Sequence, residues 1–124
     1  MNESQDEHFS ETYRSLITIA LEAFRYLALV NGGAAVALVT YLANTSIRPS
    51  AGLRCSMVGF VAGLISCGLG LLFAYFTQFM LLNEDADRVR KNIHTVPLCG
   101  AVILYVLSLA AFAFGAWSAV VAFT

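Results

Sequence analysis

Cys55 to Leu82 reads C-S-M-V-G-F-V-A-G-L-I-S-C-G-L-G-L-L-F-A-Y-F-T-Q-F-M-L-L, with no Asp, Glu, Lys or Arg. About 20 apolar residues in a helix cross the roughly 30 Å hydrocarbon layer of a bilayer. This stretch is longer than that, so it must tilt or protrude. Gly59, Gly63, Cys67, Gly70 and Ala74 recur along it at helical spacing. Lipid tails give no hydrophobic drive for helices to associate, so a row of small residues predicts close van der Waals packing instead.

Two further blocks have the same character. Tyr26 to Ala43 and Leu98 to Phe123 also lack acidic and basic residues. The 124-residue chain is 59% hydrophobic and 12% charged, with net charge −1 and mean hydropathy +0.75. Soluble domains carry about a quarter charged residues. The deficit, gathered into three blocks, excludes a soluble enzyme domain, a nucleic-acid binder with a basic face and a disordered tail. None of the blocks alternates with the period of two that a barrel strand requires. The predicted fold is therefore all-α, an integral membrane protein with three transmembrane helices in a single domain, 1–124. Its parts are a polar tail and amphipathic helix over 1–25, spans over 26–43, 55–82 and 97–123, and a helical extension of the second span to about residue 91. The first and second helices are thus extended on the cytoplasmic side.

The start of the chain carries Glu3, Asp6, Glu7 and Glu11 in place of a basic leader, so no signal peptide is expected. Lys and Arg bias in short loops orients spans. Arg14, Arg25, Arg88, Arg90 and Lys91 lie on one side against Arg48 and Arg54 on the other. The N-terminus is accordingly expected in the cytoplasm and Thr124 on the outer face. Of the three cysteines, Cys55 and Cys99 fall at opposite membrane faces and Cys67 falls between them, so no intrachain disulfide is expected.

Met1 to His8 reads as a frayed polar start. From Phe9 the spacing predicts one unbroken helix to about Ala43, with Phe9, Tyr13, Leu16, Ile17, Ala20, Leu21 and Phe24 on one apolar face. The opposite stripe runs through Thr18, Glu22 and Arg25 to Gly33 and Thr40. It reads either as a face for a neighbouring helix or as one turned to a wet path or subunit axis. Glu22 and Arg25 sit at the membrane boundary and can form a local ion pair, with Arg25 snorkelling to water. Asn31 lies inside the span, projects away from that stripe and needs a partner for its amide, so an interhelical hydrogen bond is expected.

Asn44 to Arg54 reads as a short turn with Ser50 as N-cap of the second helix. Beyond Leu82, Glu84–Arg88 and Asp87–Lys91 have the acid-before-base order that favours a helix. Thr95 and Pro97 open the third span, where Ala111, Gly115 and Ala119 form a second series of small residues. Trp117 is suited to an interface.

No catalytic or metal constellation is framed by motif. His8 and His94 lack ligand partners at fixed spacing, the glycines form no phosphate loop, and no nucleophile motif surrounds a serine. No enzyme, cofactor or metal is expected. Size and span count are similar to those of small phage holins and of membrane-disrupting effectors of bacterial antiphage systems, an architectural likeness that transfers no residues. The small size, the two small-residue seams and the partly polar face of the first helix lead to the expectation of a homo-oligomer that forms or gates a pore or perturbs the bilayer, and the likeness is in keeping with it and with a bacterial plasma membrane. The alternative is an accessory or regulatory subunit of a larger complex, with the apolar face from Phe9 to Phe24 as its contact. The expected partners are the lipid bilayer, further copies of the chain, and a protein at the cytoplasmic face, with no nucleic acid. A small transporter has less support, because internal repeats and interrupted helices are missing.

Overall fold

The computed structural model describes the backbone of residues 3–46, 48–85 and 93–124; of these, the side chains of 3–10, 13, 84 and 85 lie outside the description. The helical extension towards residue 91 and the charge pairs ending at Arg88 and Lys91 fall outside the described residues. Three helices carry the chain: α1 (Glu3–Asn44), α2 (Ala51–Asp85) and α3 (Thr95–Phe123). All three are long and apolar enough to cross a membrane.

At 42 residues, α1 is about 63 Å long, twice what a bilayer core requires. Gly32 and Gly33 do not interrupt it. It begins at Glu3, not near Phe9 as its apolar periodicity predicts. A start rich in Glu and Asp is one the helix dipole favours. The turn to α2 is closed as the sequence anticipates: the Leu53 amide donates to Ser50 Oγ at 3.3 Å and the Arg54 amide to Ser50 O at 3.1 Å. Pro97 sits in the first turn of α3, where its missing N–H costs no helical bond. Cys55 and Cys99 are exposed, Cys67 is buried, and all three are free.

The packing register fixes the topology. Along α2 and α3, Gly52 meets Ala122, Gly59 meets Gly115, Ser108 bonds to Gly63, and Phe73 meets Gly100. One series rises as the other falls, so the pair is antiparallel. The neighbours Leu38 with Leu53, Asn31 with Gly63 and Phe24 with Gly70 make α1 antiparallel to α2 in the same way. Ring contacts of Phe24 with Tyr105 and Tyr41 with Phe123 run α1 parallel to α3. The bundle is therefore up–down–up, with α2 at its centre.

Glycine sets the α2–α3 separation. A Cβ on Gly59 would stand 2.9 Å from Gly115 Cα and 3.1 Å from Ala111 O, both backbone atoms that cannot swing aside. Gly115 is equally confined by the Phe60 ring at 2.9 Å and Ser56 O at 3.1 Å. Ser56 Oγ closes the contact by donating to Gly115 O at 2.8 Å. The Gly59→Ala variant is expected to lose about 1–3 kcal/mol through overpacking, read as a lower unfolding midpoint in detergent. Gly68, with nothing within 4 Å of an added Cβ, provides the control. Equal stability of Gly59→Ala and Gly68→Ala would refute the close approach.

Candidate functional site: a buried polar layer and an open apolar groove

Two apolar clusters hold the bundle. One, towards the N-terminal end, is built from Phe24, Leu27 and Cys67, with Tyr105 packed against it. The other, towards the α1–α2 turn, joins Leu38, Leu53 and Phe60, with Met57, Phe112 and Ala122 around it. Between them lies a polar layer made by one residue from each helix: Asn31 from α1, Gly63 from α2 and Ser108 from α3.

Asn31 and Ser108 are both fully buried. The Asn31 amide nitrogen donates to Leu27 O at 3.0 Å and, at 3.4 Å, to Ser108 Oγ. The Ser108 hydroxyl passes its own proton to Gly63 O at 2.8 Å. Asn31 Oδ1 accepts no conventional hydrogen bond. It occupies the place that a Cβ on Gly63 would take, and so faces the Gly63 Cα–H. Such Cα–H···O contacts recur at helix interfaces and are worth about 0.5–1 kcal/mol. A side chain there would collide with the amide unless Asn31 moved out of its place. The small-residue seam thus serves as a socket for a polar side chain.

The same logic acts one layer down. The Phe24 ring fills the space over Gly70, and Cys67 Sγ donates to Phe24 O at 3.0 Å. Gly59, Gly63, Gly70 and Gly115 are all buried by contacts within one chain, Ala111 presents its carbonyl to Gly59, and Ala119 is half-buried. The seams that raised the expectation of several subunits are occupied inside the monomer.

The polar stripe of α1 faces outward. Thr18, Glu22, Arg25, Gly33 and Thr40 are all exposed. Their polar groups are served locally: Thr18 Oγ1 donates to Arg14 O at 3.0 Å, Thr40 Oγ1 to Val36 O at 2.9 Å, and Arg25 Nη1 to Glu22 Oε1 at 3.1 Å. The stripe therefore makes no demand for interior water.

Below Phe24 the helices part, leaving an apolar groove of about 500 Å³. Leu16, Ile17, Ala20 and Leu21 of α1 form one wall, and Ala74, Tyr75 and Leu81 of α2 the other. His94 and Leu98 close its floor from the α3 side. The amphipathic face read from the sequence is thus half used. Phe24 is buried, whereas Leu16 and Leu21 remain 60% and 50% exposed; Phe9 and Tyr13 lie outside the described side chains. Sequence reasoning missed the groove, because its lining is assembled from separate parts of the chain. It also missed the cross-helix use of Ser56 and Cys67, whose only sequence signal was helical spacing on the small-residue face.

Among the described residues no group of His, Cys, Asp and Glu could hold a metal ion. The chain matches no family model, and comparison with curated proteins and with solved structures gives no match either. For the polar layer, a double-mutant cycle with Asn31→Ala and Ser108→Ala should return a coupling of about 0.6 kcal/mol, up to about 1.7. Reversible unfolding in mixed micelles measures it, and zero coupling would deny the Asn31–Ser108 bond an energetic role.

Proposed function

We propose that this protein is a non-enzymatic accessory or regulatory subunit that binds an apolar segment of a larger membrane protein through its groove. The groove carries this reading. It is a cleft of about 500 Å³ at one end of the bundle, and its α1 wall continues the sequence's amphipathic face. The bundle interior supports the same view. Its buried polar residues, Asn31, Ser56, Thr77 and Ser108, each donate to a protein acceptor, and Leu27, Phe60 and Cys67 intervene. Among the described residues, a single chain therefore offers solutes no continuous polar path.

Reconstituted into vesicles, the protein should release no entrapped dye. A tagged copy in its native membrane should retain one defined larger membrane protein, and Ala20→Phe with Ala74→Trp, which fill the groove, should abolish that retention. Dye release that rises with protein density, together with retention unaffected by filling the groove, would overturn the reading. It would favour the second one, an oligomeric pore. The observation on that side is the outward stripe of α1, where Gly33 has nothing within 4 Å of an added Cβ.

The setting we propose is a bacterial plasma membrane, in keeping with the chain's architectural likeness to small phage and antiphage membrane proteins. The excess of Lys and Arg favours a cytoplasmic N-terminus. Cys55, exposed beside Arg54 near the α1–α2 turn, reports on this directly. In intact cells it should react with a membrane-impermeant maleimide while Cys99 stays unmodified. The reverse pattern would invert the topology.

A further inference from the structure

The three helices reach the groove end of the bundle with apolar surfaces of different length. Asn31 lies against Gly63 and Phe24 against Gly70, so each step back along α1 is matched by a step forward along α2. Continued, this register sets Glu22 level with Leu72 and Thr18 level with Phe76. The ring contact of Phe24 with Tyr105 sets Glu22 level with about Ile103 of α3. Past that level α2 runs from Leu72 to Leu82 without an acidic or basic residue, about 15 Å of helix. The stretch of α3 from Ile103 back to Thr95 is also uncharged and adds about 12 Å. On α1 the same depth holds Glu22, Thr18, Ser15 and Arg14.

What these stretches present outward differs accordingly. On α2 and α3, Tyr75, Phe76, Phe79, Leu82, Val96 and Leu98 are exposed. Val96 and Leu98 stand about 200° apart around α3, so the apolar surface turns in several directions, as a shell of acyl chains requires and one docked segment does not. On α1, Arg14, Ser15, Thr18, Glu22 and Arg25 are all exposed. Leu16 and Leu21 line the groove, which leaves Ile19 as the one large apolar residue exposed elsewhere between Arg14 and Arg25 on the helix, apart from the groove lining. From this unevenness we infer that the bundle holds one leaflet of the bilayer at two levels: the headgroup layer comes in to Glu22 and Arg25 beside α1, while acyl chains extend past that level beside α2 and α3.

The charges drive the step. The side chains of Glu22 and Arg25 are 62% and 72% exposed, and their mutual contact at 3.1 Å leaves both groups open to the surroundings. Charged groups facing hydrocarbon are costly, and the bilayer relieves them by local thinning and entry of water. An arginine can snorkel along its own stem, but a glutamate is too short to reach across 12–15 Å of apolar depth on the scale set by helical rise. Mismatch costs little per ångström, so the leaflet yields before the charges do. A rigid tilt does not remove the difference. At the other end of the bundle Tyr41 meets Phe123 and Gly52 meets Ala122, so the helices finish flush there. Tilting to level one end would unseat the other, and the step falls in the leaflet at the groove end.

Nitroxide depth measurements on the full chain in dioleoyl phosphatidylcholine vesicles test this. In a background of Cys55→Ser and Cys99→Ser, with Cys67 left buried, single labels are placed at Thr18→Cys, Phe76→Cys and Phe79→Cys. The label at 18 should collide more with a water-soluble nickel chelate than with dissolved oxygen. Labels at 76, on the same level, and at 79, nearer the groove end, should show the opposite order. Adding Glu22→Leu/Arg25→Leu should shift the label at 18 towards oxygen and leave 76 and 79 as they were. Both replaced residues are exposed, so an unchanged helical spectrum and continued protection of Cys67 establish that the variant folds. Equal ratios at 18 and 76 overturn the proposal, since the interface is then flat. Shielding of 18 from both reagents overturns it too, because protein then covers that face, as does a ratio at 18 that ignores loss of the charges. Only the purified chain and lipid are present, so the accessory role stands or falls separately.

Discussion

Helices in hydrocarbon gain nothing by exchanging lipid for one another's side chains unless they come closer than lipid can pack. This bundle rests on that condition. The approach of Gly59 to Gly115 is too tight for a Cβ on either, and it brings Ser56 within hydrogen-bonding reach of a carbonyl on the opposite helix. Gly63 and Gly70 do the same for α1 with larger inserts, an amide and a phenyl ring. The absence of side chains at four positions creates both the contact area and the sockets.

The polar layer follows from that closeness. A buried amide in an apolar bundle is costly unless its groups find partners. Asn31 meets the requirement with its own backbone, with Ser108 and with the face of a glycine. The layer is weak as a source of stability, since membrane hydrogen bonds of this type are worth about 0.6 kcal/mol on average. Its value lies in register: a shift of α1 by one residue would turn the amide away from both Ser108 and Gly63.

With the small-residue seams spent inside the bundle, the groove and the outward face of α1 remain uncovered. The groove at the N-terminal end is apolar and three-walled, suited to an inserted apolar segment. The outward face of α1 is long and exposed, with a notch at Gly33.

Three helices, the Ser50 cap and the Pro97 start were legible in the sequence, because each depends on local periodicity, absence of charge and turn chemistry; the start of α1 at Glu3 was not. Asn31 was legible as a residue in need of a partner, and Glu22 with Arg25 as a local pair, since both follow from positions on one helix. The sequence left open which partner each small residue serves. Identical glycine spacing suits contact between copies or contact within one chain, and the three-dimensional arrangement of α1, α2 and α3 turned it inward. The groove was beyond the sequence for the same reason. A cleft is a property of how residues from separate parts of the chain come together, and its lining from α1, α2 and the start of α3 meets only when the chain is folded.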